Sequence, residues 1–189
     1  MSTEAAKPSR REQILTAAAE KFARAGFHGV GIDDIGAAVG ISGPALYRHF
    51  RSKDAMLAEL LTGISDRLLF GGKHRVDAAS GPQDALDKLV RWHVEFALHN
   101  PALITVHMRD LASLSDRDRR RVRESQRHYV EVWVEVLRRA RPELDRPRAR
   151  AAVHAVFGLI NSTPFSAHLD TSAMSRLLRT MAHGAVAGI

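Results

Sequence analysis

Side chains that donate hydrogen bonds to phosphates and to base edges are concentrated in one short segment near the N-terminus. Ser42, Tyr47, Arg48, His49 and Lys53 follow one another closely there. Arginine can contact a guanine through two hydrogen bonds, and hydroxyl, imidazole and ammonium groups bind backbone phosphates. The segment therefore has the chemistry of a DNA-contacting surface, provided that these side chains share one outward face.

The sequence contains no recognisable motif for a metal site, a nucleotide-binding loop or a cysteine-based active site. The chain has no cysteine, which excludes disulfides, thiolate metal sites and a cysteine nucleophile. The ten histidines include no pair three or four residues apart, so the sequence places no two of them on one helical face. Gly26, Gly29 and Gly31 lack the spacing and the following lysine of a phosphate-binding loop. We therefore predict no enzyme, no cofactor and no metal site.

Composition agrees with a polyanionic partner. The 189 residues carry a formal net charge of +7, which is typical of, though not specific to, nucleic-acid-binding proteins. The polar stretch from Met1 to Arg11 does not resemble a signal peptide, and no apolar run approaches the roughly 18 residues of a membrane span. We expect a cytoplasmic protein of one domain, or of two small ones that share a core.

Apolar residues recur at helical spacing along nearly the whole chain, which predicts an all-α fold of about nine helices. Helices are expected over 10–25, 31–39, 44–50 and from Ser52 to a break at Gly71-Gly72. Further helices are expected between Pro82 and Asn100 and over 101–113, 116–140, 147–168 and 171–186, with a bend between Asn161 and Pro164.

The first three helices have the arrangement of a helix-turn-helix DNA reader. Gly40 supplies the tight turn between the second and third helices. Small or apolar residues must face inward there, and the sequence supplies them: Ile35, Val39, Ile41, Leu46 and Phe50.

Residues 41–53, Ile-Ser-Gly-Pro-Ala-Leu-Tyr-Arg-His-Phe-Arg-Ser-Lys, resemble the recognition-helix signature of the tetracycline-repressor (TetR) family. Residues 35–40, Ile-Gly-Ala-Ala-Val-Gly, resemble the scaffold helix of the same family. The resemblance covers roughly residues 10–60, and the remainder agrees in helix number and length.

The resemblance implies a homodimeric repressor. Residues 1–53 would form the DNA-binding head, and residues 54–189 the effector-binding and dimerisation body, with the last two helices pairing across the dimer. A small organic effector in the body would release the protein from a palindromic double-stranded DNA operator. The form of the motif resembles members linked to lipid catabolism, so an acyl-CoA or another lipid metabolite is one candidate effector.

The resemblance also assigns DNA contacts by position. Tyr47, Lys53 and His49 would bind phosphates, with Ser42 and neighbouring backbone amides beside them. The Tyr47 ring could also contact bases or thymine methyl groups. Gly43, Pro44 and Ala45 lie where the family reads bases in the major groove. Their few donors point to apolar contacts and DNA shape.

Three positions near this surface stay open or depart from the family. Arg48 could contact a guanine or the DNA backbone. Gly31 stands where the family has Ser or Thr, so a bare backbone N–H would meet the phosphate. Gly36 replaces the usual alanine, which costs the helix about 1 kcal/mol in propensity.

The body helices carry the candidate effector-binding residues. Most of these fit an ordinary core equally well, and the resemblance places a pocket among them: Trp92, His93, Phe96, His107, Tyr129, Trp133, Phe157, Asn161 and Phe165. A buried asparagine needs a partner. For Asn161 that partner could be a ligand, the facing helix or its own backbone.

Several alternatives remain open. Arg10 and Arg11 could form a minor-groove arm or a solvated helix start. Two arginine-rich stretches, one from Arg117 to Arg127 and one from Arg138 to Arg150, favour a salt-bridged surface over a grip on an anionic effector. A ligand-sequestering module with a degenerate head and a transcriptional activator are the alternative functions.

Overall fold

The computed structural model describes residues 8–188, and within that range the chain forms ten α-helices and one 3-10 turn, with no strand. The all-α prediction is confirmed. The helices are α1 (Arg10–Ala25), α2 (Ile32–Ala38), α3 (Gly43–Leu46), α4 (Lys53–Asp77), α5 (Pro82–His99), α6 (Pro101–Asp110), α7 (Asp116–Ala140), α8 (Arg146–Ile160), α9 (Thr163–Ser166) and α10 (Thr171–Ala187), and the 3-10 turn is Leu111–Ser113.

Polar caps fix several helix starts. Ser9, Ser52 and Ser115 each accept a hydrogen bond from the backbone N–H three residues later, at the starts of α1, α4 and α7. Asp145 and Asp170 do the same for α8 and α10. Each cap satisfies an amide that the helix leaves unpaired, and each favours helix formation by about 1 kcal/mol.

The helices α1, α2 and α3 pack around a common apolar core. Of the predicted inward residues, Ile35, Leu46 and Phe50 are buried, whereas Val39 and Ile41 are partly buried. Gly40 has a φ of +70°, a left-handed conformation that disfavours residues with a Cβ. The tight turn predicted at Gly40 is therefore present.

The predicted break at Gly71-Gly72 is wrong, because α4 continues through both glycines to Asp77. A Cβ at Gly71 would overlap the Trp92 ring, and one at Gly72 would lie 2.7 Å from Tyr129 Cε2. These glycines keep the helix surface flat where two aromatic rings of α5 and α7 pack against it. Packing against the body thus outweighs the low helix propensity of glycine.

The region between α8 and α10 also differs from the prediction of one helix over 147–168. The helix α8 ends at Ile160, and the four-residue α9 follows. Pro164 has no amide hydrogen to donate to the Ile160 carbonyl, so the helix ladder cannot continue there. The single helix predicted over 101–113 is likewise divided: α6 ends at Asp110, and the 3-10 turn covers the last three residues.

The remaining helices form the body. The helix α4 packs against α5 and α7, and α10 packs against α5 and α8. Large side chains from these helices are fully buried, among them Leu61, Leu89, Trp133 and Ile160. None of the helices described within residues 8–188 is both long and apolar enough to cross a membrane.

Candidate DNA interface and ligand cavity

The short helix α3 and the turn after it present the predicted DNA-contacting side chains. The Ser42 hydroxyl accepts a hydrogen bond from the Ala45 N–H at the start of α3. Pro44 and Arg48 are exposed, and Tyr47 is 55% exposed although it follows the buried Leu46. Ala45 and His49 are partly exposed. Exposed donors and apolar surface therefore lie together on one short segment.

Two glycines allow α2 and α3 to approach closely. Gly43 is buried, and a Cβ there would overlap the Asp33 carboxylate on α2. A Cβ at Gly36 would lie 2.6 Å from the Ile41 carbonyl oxygen. Gly43 therefore lies in the contact between α2 and α3. Close packing also explains glycine at position 36, where helix propensity alone would favour alanine.

Two further predicted phosphate donors already have protein partners. Lys53 Nζ donates to the carbonyl oxygens of Phe27, at 2.9 Å, and Val30, at 2.8 Å. The Gly31 N–H donates to Asp34 Oδ2 at 2.8 Å. Lys53 therefore ties α4 to the loop between α1 and α2, and its ammonium keeps one N–H for a phosphate.

The first two arginines of α1 contact the segments that follow α2 and α3. Arg10 Nη2 donates to the Val39 carbonyl at 2.6 Å. The Arg11 guanidinium lies 4.0 Å from the centre of the Phe50 ring and pairs with Glu59 on α4. Both side chains therefore have structural partners, which the minor-groove-arm interpretation did not anticipate.

The body contains a cavity of about 260 Å³ between α4, α5, α6, α7 and α8. Five of the nine predicted ligand-binding residues line it: His93, His107, Tyr129, Phe157 and Asn161. The lining residues that sequence reasoning missed are Ile64, Ser65, Leu68, Ile104, Gln126, Val130 and His154. They carry no motif, and only the packing of distant helices brings them together.

The other four predicted residues lie elsewhere. Trp92 packs on Gly71 and donates from Nε1 to the Leu68 carbonyl at 3.2 Å. Phe96 and Trp133 are buried in the core outside the cavity lining, and Phe165 is 68% exposed.

A chain of hydrogen bonds runs along the cavity wall. His93 Nε2 lies 3.1 Å from Asn161 Oδ1, and its Nδ1 lies 3.4 Å from the Tyr129 hydroxyl. Since Oδ1 can only accept, Nε2 carries the proton, and Nδ1 accepts from the Tyr129 hydroxyl. Burial lowers the pKa of His93 to about 4 and raises the pKa of Tyr129. Both groups are therefore uncharged at neutral pH.

A second polar pair lines the cavity at the α6–α7 contact. The side-chain amide of Gln126 contacts His107 Nε2. Burial lowers the pKa of His107, so this imidazole is also neutral at pH 7.

The arginine-rich stretches form ion pairs on the surface. Arg119 pairs with Asp116, Arg121 with Asp66 and Arg141 with Glu143. Arg146 and Arg150 both pair with Glu131. The salt-bridged interpretation therefore describes these side chains. Among residues 8–188, no three histidine or carboxylate side chains gather in a way that could hold a metal ion.

The outer surfaces of α8 and α10 include apolar and small residues among charged ones. Leu177 is 44% and Met181 46% exposed on α10. Gly158 on α8 and Gly184 on α10 face open space, with nothing within 4 Å of a Cβ built on either. Such a face allows close approach by another helix pair.

Comparison with known proteins identifies relatives for both parts of the chain. Residues 14–60 match the family model of bacterial regulatory proteins of the tetR family, and residues 79–165 match that of a tetracyclin repressor-like C-terminal domain. The HTH-type transcriptional repressor KstR2 of Mycobacterium tuberculosis H37Rv is 31% identical over 144 residues, which are 72% of this chain and 72% of KstR2.

Solved structures agree along nearly the whole chain. A TetR-family transcriptional regulator from Bordetella parapertussis superposes with a TM-score of 0.83 at 25% identity, covering 93% of this chain and 95% of that one. The ketosteroid transcriptional regulator KstR2 of M. tuberculosis superposes with a TM-score of 0.78 at 26% identity, covering 97% and 96%.

Proposed function

The chain belongs to the TetR family of bacterial regulatory proteins, and from this premise we propose that it is a ligand-responsive repressor that binds a palindromic operator as a homodimer. The observation that carries the proposal is a capped recognition helix with exposed Tyr47 and Arg48, joined through α4 to a body that contains a largely apolar cavity with a few polar side chains in its wall. KstR2, the relative described above, is itself a repressor.

We propose the division into a DNA-binding head, 1–53, and an effector and dimerisation body, 54–189. Pro44, Ala45, Tyr47 and Arg48 would enter the major groove. Ser42, His49 and the free N–H of Lys53 would contact phosphates, together with backbone amides next to Gly31, whose own N–H already donates to Asp34. The buried Gly43 would act by holding α3 against α2.

The exposed apolar residues of α10 and the small residues of α8 would form the dimer interface. Burying Leu177 and Met181 against a partner removes apolar surface from water, at about 25 cal/mol per Å². The small residues at Gly158 and Gly184 would let the paired helices approach closely. A two-fold dimer would present two heads to two half-sites of a palindrome.

An effector releases such a repressor only if it binds the DNA-free conformation more tightly than the DNA-bound one. The cavity would hold that effector, a small organic molecule. An acyl-CoA would have to leave its phosphates outside, because no charged residue lines the cavity among the described residues. We further propose that the protein acts in the cytoplasm and catalyses no reaction.

The test is an electrophoretic gel shift with the DNA upstream of the protein's own gene. Arg48→Ala should weaken binding by roughly 10-fold to 100-fold if Arg48 contacts a guanine, with relaxed preference at one base pair. If Arg48 instead contacts a phosphate, binding should weaken equally on all sequences, and the salt dependence should fall by about one unit of slope.

Arg127→Ala, an exposed arginine on α7 in the body, is the matched control and should leave binding unchanged. Light scattering on the same preparation should give twice the chain mass of 20.9 kDa. A Tyr47→Ala/Arg48→Ala variant that binds as tightly as the wild type would refute the head assignment and favour a ligand-sequestering module. Deletion of the gene should raise transcripts of the regulated genes, whereas an activator would give a fall.

A further inference from the structure

The residues that line the cavity favour one chemical class of ligand. That this ligand is the effector rests on the regulatory function proposed above. We propose that the cavity takes an uncharged carbonyl compound, or the uncharged acyl end of a larger one, with about ten non-hydrogen atoms inside the cavity, and that the carbonyl oxygen accepts a hydrogen bond from the Asn161 side-chain amide. A carboxylate of the same size and shape would be rejected.

The size follows from the volume. The cavity measures about 260 Å³, whereas an engineered protein cavity of about 150 Å³ accommodates benzene. In proportion, about ten non-hydrogen atoms would fill the space. Aromatic or branched apolar groups suit its wall, because Phe157, Ile104 and Val130 contribute to it.

The charge preference follows from the lining. Among the residues that the structure describes, the lining includes no aspartate, glutamate, lysine or arginine. The buried imidazole of His93 is 2% exposed and cannot readily acquire a proton to pair with an anion. An ionised carboxylate would therefore lose its hydration without gaining a counter-ion, and this cost is large in an apolar interior.

The position of the oxygen follows from the direction of the hydrogen bonds. The Tyr129 hydroxyl donates to His93 Nδ1, and His93 Nε2 donates to Asn161 Oδ1. This arrangement fixes the Asn161 amide so that Oδ1 is occupied. Its Nδ2 has no hydrogen-bond partner within residues 8–188, although it can donate twice. A ligand carbonyl is the complementary acceptor.

The carbonyl could belong to a free ketone or to the acyl end of a thioester. His154 lines both the cavity and a neighbouring surface groove that contains Arg146 and Arg150. Both arginines pair with the single carboxylate of Glu131, which offsets only part of the positive charge that could attract the phosphates of a coenzyme A thioester. The experiment therefore includes both sources.

The probes are three molecules matched in size: acetophenone, benzoate and isopropylbenzene. Isothermal titration calorimetry on the full-length protein should show acetophenone binding about tenfold more tightly than isopropylbenzene, since one hydrogen bond separates them. Benzoate should give no measurable heat of binding. Equal binding of benzoate and acetophenone, or no binding by any of the three, would overturn the inference.

Asn161→Asp tests the donor directly. Aspartate keeps an oxygen for His93 Nε2 but removes the amide donors. The affinity for acetophenone should therefore fall at least about tenfold more than the affinity for isopropylbenzene, which uses no donor. Asn100→Asp, the same substitution in the turn between α5 and α6, should leave both affinities unchanged. Circular dichroism checks that each variant is folded. An unchanged acetophenone affinity in folded Asn161→Asp would contradict the assignment.

Benzoyl-coenzyme A distinguishes the two sources. If benzoyl-coenzyme A binds more tightly than acetophenone, and Asn161→Asp weakens that binding, the cavity takes the acyl end of a thioester. Weaker binding would assign the free ketone, and both results keep the uncharged carbonyl. Calorimetry requires no operator DNA, so the two tests are independent. If no probe binds in calorimetry, the gel shift still tests DNA binding, and if no DNA binds in the gel shift, the calorimetry still tests the effector class.

Discussion

At the scale of single residues, His93 is a titratable side chain held away from water. It lies 4.6 Å, centre to centre, from the Phe157 ring and 5.7 Å from the Tyr129 ring, and it is almost fully buried. Desolvation is the main reason that its pKa falls to about 4, and the hydrogen bond to Asn161 opposes that fall only in part. The folded protein therefore holds His93 neutral where an unfolded chain would protonate it.

This difference predicts acid sensitivity. The unfolded imidazole gains its proton near pH 6.5, whereas the folded one resists until about pH 4. The contribution of neutral His93 to the free energy of unfolding is therefore fully present above pH 6.5 and is lost as the pH falls toward 4. Between pH 7.5 and pH 5.0 the loss should be about 2 kcal/mol.

Urea denaturation at fixed protein concentration measures this loss. His93→Gln should be less stable than the wild type at pH 7.5 but should lose about 2 kcal/mol less on going to pH 5.0. The control is His168→Gln, at an exposed histidine, which should follow the wild type. Parallel pH dependences of the wild type and His93→Gln would show that His93 protonates as easily in the folded state as in the unfolded state.

At the scale of elements, α4 carries glycines with opposite roles. Gly63 is exposed, and nothing lies within 4 Å of a Cβ built there. At Gly72 a Cβ would meet Tyr129 Cε2 at 2.7 Å and Leu89 Cδ2 at 3.3 Å. Because Tyr129 also lines the cavity, Gly72 helps to set the position of a cavity wall.

Alanine substitutions should separate these roles. Gly63→Ala should raise the free energy of unfolding by about 1 kcal/mol, since alanine is the better helix former. Gly72→Ala gains the same propensity but overpacks the core, and the net result should be a loss of about 1–2 kcal/mol. Thermal or urea denaturation measures both, and a stabilised Gly72→Ala would mean that Tyr129 shifts without cost.

At the scale of the whole molecule, α6 contacts both the cavity and the head. Ile104 and His107 line the cavity. Two residues beyond His107, the Arg109 guanidinium donates to the carbonyl oxygens of Phe22 and Ala23 at the end of α1, and Asp110 pairs with it. A cation at that position also complements the negative end of the α1 dipole. Movement of α6 would therefore reach the head directly.

Arg109→Ala should weaken the coupling between effector and DNA. Calorimetry should give an unchanged affinity for the carbonyl probe that releases the wild-type protein from DNA. Gel shifts with and without that probe should give a smaller ratio of operator affinities, from a wild-type ratio of roughly 5-fold to 150-fold. Arg121→Ala, which breaks a pair with Asp66 within the body, is the control. An unchanged ratio in Arg109→Ala would exclude this contact as the link.

Local patterns in the sequence determined much of the fold. The predicted bounds of α1 and α7 agree with the structure, and so does the turn at Gly40. Helical periodicity, serine caps and a left-handed glycine act over a few residues, so the sequence contains their full cause. The exposed Tyr47 and Arg48 belong to the same short motif, which predicts their position on its outward face.

Only the tertiary structure decided what distant residues do to one another. In the folded protein, α4 continues through Gly71-Gly72, and Lys53 binds the loop after α1. Gln126 and His154 line the cavity, whereas Trp92 and Phe165 do not. Each outcome depends on which helix packs against which face. Those contacts join residues far apart in the chain, and no local pattern records the distance or the fit between them.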